Sequence, residues 1–297
     1  MFPESPFSEK AIGTTGAQFL KIPQGARHEA MGGTAAASAE GAEALFWNPA
    51  GLAGLEPESP ASLALSYGAL LESTYAGAAS YARPAGAGAW ALGLVYFSQS
   101  AMTSYSAVGD PTGEFSPYDI ALGGGYARKL GPVRVGAGLK LIRSEIAGES
   151  GTAGAVDLGI QAMHVSDVGE GPLDVGASIS NLGPGLKVGE ESSALPTHLR
   201  LGALWHTSPV LNSAVDLNFP VDEDPYISVG VEGFYKQPKW KGSVRLGYNQ
   251  SHGRGVDGLS GVTGGVGLDL GRLRFDYAWV PFGDLGTSNR ITLAFRF

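Results

Sequence analysis

The chain has 297 residues, of which 16% are charged and 46 are Gly; its net charge is −8 and it has no Cys. Soluble domains carry roughly 25% charged residues and ~7% Gly, so this composition does not suit a surface held in water. The acidic balance and the lack of a basic patch exclude nucleic acid as a partner. Without Cys there is no disulfide framework, thiol nucleophile or Cys-based zinc site.

From the N-terminus, Met1 to Gly16 hold no apolar run of the kind a signal peptide needs, so the sequence reads as a mature chain or one with a misassigned start. Residues 1–59 lack sustained alternation. Their small-residue run, Ala30 to Ala44, suits a short helix or coil but is too poor in large apolar side chains to form its own core. At Trp47-Asn48-Pro49-Ala50-Gly51-Leu52, Asn48 is a helix-capping residue, Pro49 suits the first helical position and the glycines end the turn. Residues 1–59 are therefore expected to be a plug or hatch segment, and residues 60–297 a barrel.

From Ala61 onward the chain alternates between large apolar and polar or small residues, broken by turn signals. Near the C-terminus Ile291, Leu293, Phe295 and Phe297 alternate with Arg290, Thr292, Ala294 and Arg296. The longest apolar stretch, Ala87 to Phe97, is too short for a membrane helix of ~20 residues but fits a tilted membrane strand of ~9–11. Strands are predicted near 61–70, 73–83, 87–98, 116–129, 133–146, 152–163, 172–181, 197–206, 211–219, 225–235, 240–249, 260–270, 272–280 and 289–297. The long connections, Gln99 to Phe115, Leu182 to Pro196 and Gln250 to Leu259, all follow odd-numbered strands. A sandwich has no reason to sort loops by parity, whereas an outer-membrane barrel has short periplasmic turns and long outer loops. The fold expected is an all-β, closed antiparallel transmembrane barrel of about fourteen strands. Trp240, Tyr248 and Trp279 near strand ends fit its interfacial girdles, and the glycines leave room for a plug.

Chemistry is sparse. His198 and His206 share one predicted lumenal face and Ser208 follows, but no nucleophile motif flanks any Ser. Asp222-Glu223-Asp224 lacks the spacing of a calcium loop. Gly123-Gly124-Gly125 and Gly264-Gly265-Val266-Gly267 lie within strands and not at the strand-to-helix step a phosphate loop needs. No catalytic residue, metal site or cofactor is assigned.

Gly13-Thr14-Thr15-Gly16-Ala17-Gln18-Phe19-Leu20-Lys21-Ile22, with Gly25-Ala26-Arg27, Ala30-Met31-Gly32-Gly33 and Phe46 to Leu52, resembles the N-terminus of PorV and PorQ-type outer-membrane proteins. Ser180 to Pro184, Leu195-Pro196, Leu199 to Gly202 and Asp276 to Ile291 also resemble that family. The resemblance implies a fourteen-stranded barrel related to the fatty-acid transporter FadL. Its hatch motif would comprise Arg27, Met31, Gly32, Gly33, Trp47, Asn48, Pro49 and Gly51, and Ile291, Leu293, Phe295 and Phe297 resemble the signal read by the barrel assembly machinery. Two non-enzymatic functions follow from it. The first is a secretion or surface-assembly accessory that binds secretion-system proteins or cargo, as PorV serves type IX secretion. The alternative is a FadL-like, hatch-gated transporter of hydrophobic small molecules, and an outer-membrane hydrolase is a remote third. Outer-membrane lipid is the surrounding partner in all three.

Three expectations can be set against the structure. Leu293, Phe295 and Phe297 should face lipid while Arg200, Arg245, Asp276 and Arg296 face the lumen. Arg27 or Glu29 should pair with lumenal charges such as Asp276 or Arg245. The outer mouth, carrying Asp222, Glu223 and Asp224 among other acids, should present an acidic rim to a basic partner or to divalent cations.

Overall fold

The computed structural model describes residues 2–169 and 171–297. The described residues form eighteen strands: β1 Ser62–Ala69, β2 Thr74–Ala85, β3 Gly88–Gln99, β4 Met102–Tyr105, β5 Pro111–Phe115, β6 Tyr118–Leu130, β7 Val133–Ile146, β8 Glu149–Val168 and β9 Gly171–Leu182. They continue with β10 Leu186–Val188, β11 Glu191–Ser193, β12 His198–Ser208, β13 Leu211–Pro220, β14 Tyr226–Lys236, β15 Lys241–Asn249, β16 Val262–Asp269, β17 Leu273–Pro281 and β18 Thr287–Arg296. Fourteen of them form one closed antiparallel barrel, sealed where β1 pairs with β18 from Ser62↔Arg296 to Ala69↔Asn289. The four extra strands are two small hairpins, β4–β5 and β10–β11, inside stretches the alternation pattern leaves as loops. Closure leaves no edge strand, so the backbone satisfies its own hydrogen bonds in an apolar surrounding.

Turns at the end where β1 begins and β18 finishes are short, such as Gly131-Pro132 between β6 and β7 and Pro209-Val210 between β12 and β13. The long connections, 100–117, 183–197 and 250–261, lie at the other end. By the loop-length rule the first end is periplasmic and the second is the outer mouth. Alternation sets the faces: Ile291 and Phe297 are exposed, whereas Arg290 and Thr292 are buried. Leu293 and Phe295 lie on the same outward set, and Arg296 turns inward to a periplasmic cavity that it lines with Arg274 and Ala294. Aromatics ring both ends. Tyr81 packs 5.4 Å from Trp90 and 6.3 Å from Phe297 at one, and Tyr67 stacks 6.1 Å from Tyr75 at the other. Trp240, Tyr248 and Trp279 are all outward and exposed.

One strand departs from expectation. β8 runs five residues past its predicted end at 163, because a bulge between Ala162 and Ser166 shifts its register against β9. At that bulge His164 adopts φ 52° and its N–H donates to Asp174 Oδ1 at 2.7 Å. A bulge reverses which residues face in, so the simple alternation is lost there.

The described residues before Ala61 form short helical turns, including Ala26–Glu29, Ala44–Trp47 and the 3₁₀ turn Pro49–Gly54, and one parallel bridge between Thr15 and Ala194. They run through the lumen from one end to the other. The Phe7 N–H donates to the Val221 carbonyl, and the Gly16 N–H to the Ala194 carbonyl, both in outer connections. At the opposite end Gly54 lies against Arg134, near the start of β7. Among the described residues no helix is long and apolar enough to cross a membrane.

Candidate functional site: the lumen and its N-terminal segment

The wall is hollowed to accept the segment. A Cβ on Gly176 would fall 2.1 Å from the Ala36 carbonyl oxygen, one on Gly247 2.1 Å from the Gly32 nitrogen, and one on Gly159 1.9 Å from Asn48 Oδ1. Real side chains do not approach so closely, so the segment's backbone at Gly176 and Gly247, and the Asn48 side chain at Gly159, reach the wall only because these positions are glycine.

Asn48 does cap its turn, its Oδ1 accepting from the Ala50 N–H at 3.1 Å with Pro49 at the first helical position. The structure adds a second role that the local motif does not reveal. Its Nδ2 donates to the carbonyls of Ala36 at 2.6 Å and of Ile160 and Ala177 at 3.2 Å, tying the segment to β8 and β9. Gln161 Nε2 reaches the carbonyls of Ala36, Ala37 and Ala39, and Asp216 Oδ2 accepts from the N–H groups of Ala35 and Ala36. These bonds satisfy irregular backbone far from bulk water, where an unmade bond costs about 1–3 kcal/mol. Gly32 sits at φ 72°, its N–H on Thr263 Oγ1 and its carbonyl on Asn249 Nδ2, both at 3.0 Å. Met31 packs with Ala37, Leu204 and Ala214. The Trp47 indole N–H donates to the Gln24 carbonyl, and its ring lies 5.3 Å from His28 and 5.4 Å from the Arg200 guanidinium.

Charges of the segment do pair with lumenal charges, though not with Asp276 or Arg245 directly. Arg27 bonds Glu232 (Nη2 to Oε2 2.8 Å) and Glu29 bonds Arg290 (2.5 Å). Glu232 then holds Arg245 at 2.7 Å. Arg245 lies 2.8 Å from Asp276, close enough to be an ion pair although the angle is poor for a hydrogen bond. Asp276 holds Arg274 at 2.7 Å, and Arg274 bonds Glu43. Six charges of alternating sign thus run from the segment across β14, β15 and β17 and back to the segment. Arg200 and Arg296 stand outside this chain; Arg296 pairs with Asp269 at 3.2 Å, and Arg200 makes no ion pair among the described residues. The missed members, Glu232 and Arg274, sit on the polar face of alternating strands. Counting back from the 237–240 turn pairs Lys236 with Lys241 and Glu232 with Arg245, a signal that was available in the sequence.

The outer acids need a correction. Asp222 is not a free rim charge but is buried, accepting from Thr15 Oγ1 at 2.6 Å, Gln18 Nε2 at 2.8 Å and Lys21 Nζ at 3.2 Å. Glu223 forms an ion pair with Lys21 at 3.2 Å and accepts from Ser251 Oγ at 2.9 Å, and Asp224 accepts from the Glu9 N–H. Burial pushes the Asp222 carboxyl up, but the bonds from Gln18 and Thr15 and the Lys21 charge outweigh it and hold the group below its ordinary range. The triad is a clasp for residues 7–22.

An apolar cavity of about 40 Å³ lies between Leu20, Leu45 and Phe46 of the segment and Gly93, Val95, Ala121, Gly123, Gly138 and Leu139 of the wall. Its polar end is Lys140, held by Asp157 and Asn181 Oδ1, both at 2.7 Å. Behind it, an apolar groove of about 750 Å³ is lined by Leu92, Leu122, Gly124, Leu141, Gly154, Val156, Leu182 and Gly183, and shares Gly123, Leu139 and Lys140 with the inner cavity. There the β8–β9 ladder is irregular. Val156 pairs with Leu182 but Leu158 with Ile179, Asn181 adopts φ 62°, and its N–H bonds the Asp157 side chain. Beyond Leu182 the outer half of β8 is flanked by β10 and no longer by β9: a Cβ on Gly151 would come 2.1 Å from the Lys187 carbonyl oxygen.

A sequence model of an uncharacterised protein family, UPF0164, matches residues 3–219. The chain belongs to that family. No curated protein matches it in sequence. Among solved structures, the Ralstonia pickettii toluene transporter TbuX superposes with a TM-score of 0.62 at 16% identity, covering 92% of this chain and 98% of its own. The Pseudomonas putida toluene transporter TodX gives 0.58 at 14%, covering 92% and 98%. A Pseudomonas aeruginosa FadL homologue gives 0.58 at 11%, with the same coverage. The UPF0164 chain thus has the fold of FadL-type outer-membrane barrels, the architecture that the PorV and PorQ resemblance implied.

Proposed function

We propose that this UPF0164 barrel passes apolar small molecules across the outer membrane and that residues 1–59 act as its hatch. The observation that carries this reading is the paired cavity and groove. An apolar space between the segment and the wall backs onto a lipid-facing groove, with Gly123 and Lys140 between them, beside an irregular β8–β9 seam. A volume of 40 Å³ holds about one water, so passage requires Leu20 or Phe46 to move aside. The neighbours TbuX and TodX, both toluene transporters, support the same reading by fold. The sequence ranked secretion or surface assembly first; the fold shared with the toluene transporters TbuX and TodX supports the transport alternative better, so the order is reversed. The hydrolase reading gains nothing, since His206 is occupied by Asp174 at 2.9 Å and Asn212 at 3.2 Å.

The test is uptake of radiolabelled toluene by cells expressing the protein in a host without such a transporter. Gly154→Trp fills the groove from the lipid side, where a Cβ meets only the Lys140 carbonyl oxygen at 4.0 Å. Uptake above background that falls at least tenfold in Gly154→Trp is expected. Background uptake in both, with the barrel correctly inserted, contradicts the proposal.

A further inference from the structure

The periplasmic mouth opens into a cavity of about 1260 Å³ whose lining is dominated by charge: Arg27, Lys236, Lys241, Arg245, Arg272, Arg274 and Arg296 against Glu40, Glu43, Asp174, Glu232, Asp269 and Asp276. Every one of those carboxylates has a partner: Arg134 for Glu40, Arg274 for Glu43, Arg27 and Arg245 for Glu232, Arg296 for Asp269, Arg245 and Arg274 for Asp276, and the His206 imidazole, at 2.9 Å, for Asp174. Lys236, Lys241 and Arg272 make no ion pair among the described residues. The two lysines face each other across the β14–β15 pair, a like-charge contact that costs stability and that Asp269, opposite Lys241 across the β15–β16 pair but itself bonded to Arg296, offsets only in part. Both ammonium groups lie on one ring, 5.9 Å and 4.5 Å from the centre of Phe234. Among the described residues Lys236 donates only to the Pro209 carbonyl, at 3.3 Å.

Of the basic residues at this end without an ion pair among the described residues, these three line the cavity, whereas Arg83, Arg128, Lys129 and Lys239 do not. Arg83 and Arg128 are exposed and alternate with the buried Ala82 and Ala127, so they point outward, where lipid headgroups meet them. Lys236, Lys241 and Arg272 line the cavity and face away from the lipid. They also do not converge on one point. They stand on β14, β15 and the turn between β16 and β17, and at ~4.8 Å per strand they span roughly 10–15 Å of the rim. Small-molecule pockets are about 300–1,000 Å³; a wider mouth with charges strung along it suits an extended chain, of which four or five residues cover that span at ~3.4 Å each.

We infer that the periplasmic mouth is a docking surface for an acidic polypeptide segment of a periplasmic protein, held by Lys236, Lys241 and Arg272. If the transport reading holds, a protein docked there would stand where a molecule leaves the lumen; the charge geometry itself does not depend on that reading.

The full-length protein in nanodiscs of phosphatidylcholine would be titrated against a fluorescein-labelled peptide, Gly-Asp-Glu-Asp-Glu-Gly, and its Asn/Gln counterpart, followed by anisotropy. The acidic peptide should bind, weaken at least tenfold between 50 and 300 mM salt, and weaken at least tenfold with Lys236→Gln, Lys241→Gln and Arg272→Gln combined; the amide peptide should bind at least tenfold more weakly. Arg128→Gln should change nothing. Lys236→Glu with Lys241→Glu should bind a lysine-rich peptide in place of the acidic one, a gain that an unfolded barrel cannot produce. Equal binding by the triple variant, or displacement of the peptide by less than 1 mM inorganic phosphate, overturns the proposal, the latter by assigning a small-anion site. Loss of toluene uptake in Gly154→Trp with peptide binding intact keeps the two claims separate.

Discussion

Asp222→Asn tests the clasp at the outer mouth. The carboxylate accepts three side-chain hydrogen bonds, from Thr15, Gln18 and Lys21, and pairs with the Lys21 charge. Bonds to a charged group contribute about 1.5–3 kcal/mol each, but bonds sharing one acceptor do not add. Asn keeps one acceptor oxygen and turns an amide toward the donors, so a loss of about 3 kcal/mol is expected, a change of roughly a hundredfold in the opening equilibrium. The native chain has no Cys, which makes a single introduced thiol a clean reporter. Ala11 is 1% exposed, and Ala11→Cys should react with an impermeant maleimide from outside intact cells about a hundred times faster in the Asp222→Asn background. An acceleration under threefold refutes the clasp, and reaction only after the outer membrane is permeabilised refutes the end-to-end path of the segment. The sign of the pH effect follows from the lowered Asp222 pKa. A carboxyl depressed in the folded state stabilises fully above its unfolded value near ~4 and loses that stabilisation as pH falls through the folded value. Amide protection at Gly16, corrected for intrinsic exchange, should therefore fall below about pH 4 in the native chain and not in Asp222→Asn.

Other substitutions address the seat of the segment. Asn48→Asp sets a carboxylate against three carbonyl oxygens and should cost about 3–5 kcal/mol, more than Asn48→Ala; thermal unfolding in detergent would rank them, and equal midpoints would contradict the assignment. Arg290→Met leaves Glu29 buried without its partner and should destabilise by about 3–5 kcal/mol, while adding Glu29→Met should recover most of it; no recovery would mean that the pair is not the relevant contact. Gly247→Ala brings a methyl to 2.1 Å from the Gly32 nitrogen, so limited proteolysis should release the N-terminal segment while the barrel stays intact. A segment as resistant as the native one would show that the wall yields instead.

The barrel was legible because period two is a strong signal when one face meets lipid: Ile291, Leu293, Phe295 and Phe297 could face only one way. Loop parity gave closure and polarity from the same text. The β8 extension past residue 163 was hidden because the bulge at His164 interrupts that period; the β4–β5 hairpin was hidden because its strands are mostly exposed, and the β10–β11 hairpin because three residues, Leu186-Lys187-Val188, are too few to establish a period. At the candidate site, Asn48 could be seen as a cap from its neighbours in sequence, but its bonds to Ile160 and Ala177 join residues far apart in the chain and leave no local trace. The acids 222–224 read as a solvated rim because net charge in a loop says nothing about what is folded over it; Thr15, Gln18 and Lys21 arrive there only once the segment has crossed the lumen.

The central claim is that an apolar molecule occupies the space between the segment and the β3, β6 and β7 wall. Anomalous diffraction from crystals of the protein soaked in iodobenzene tests it most directly. The account predicts an iodine peak enclosed by Leu20, Leu45, Phe46, Val95 and Ala121, lost when Gly138→Val, whose Cβ has room there, fills that space. Iodine found only on the lipid-facing surface or in the periplasmic mouth, with that space empty, would contradict it.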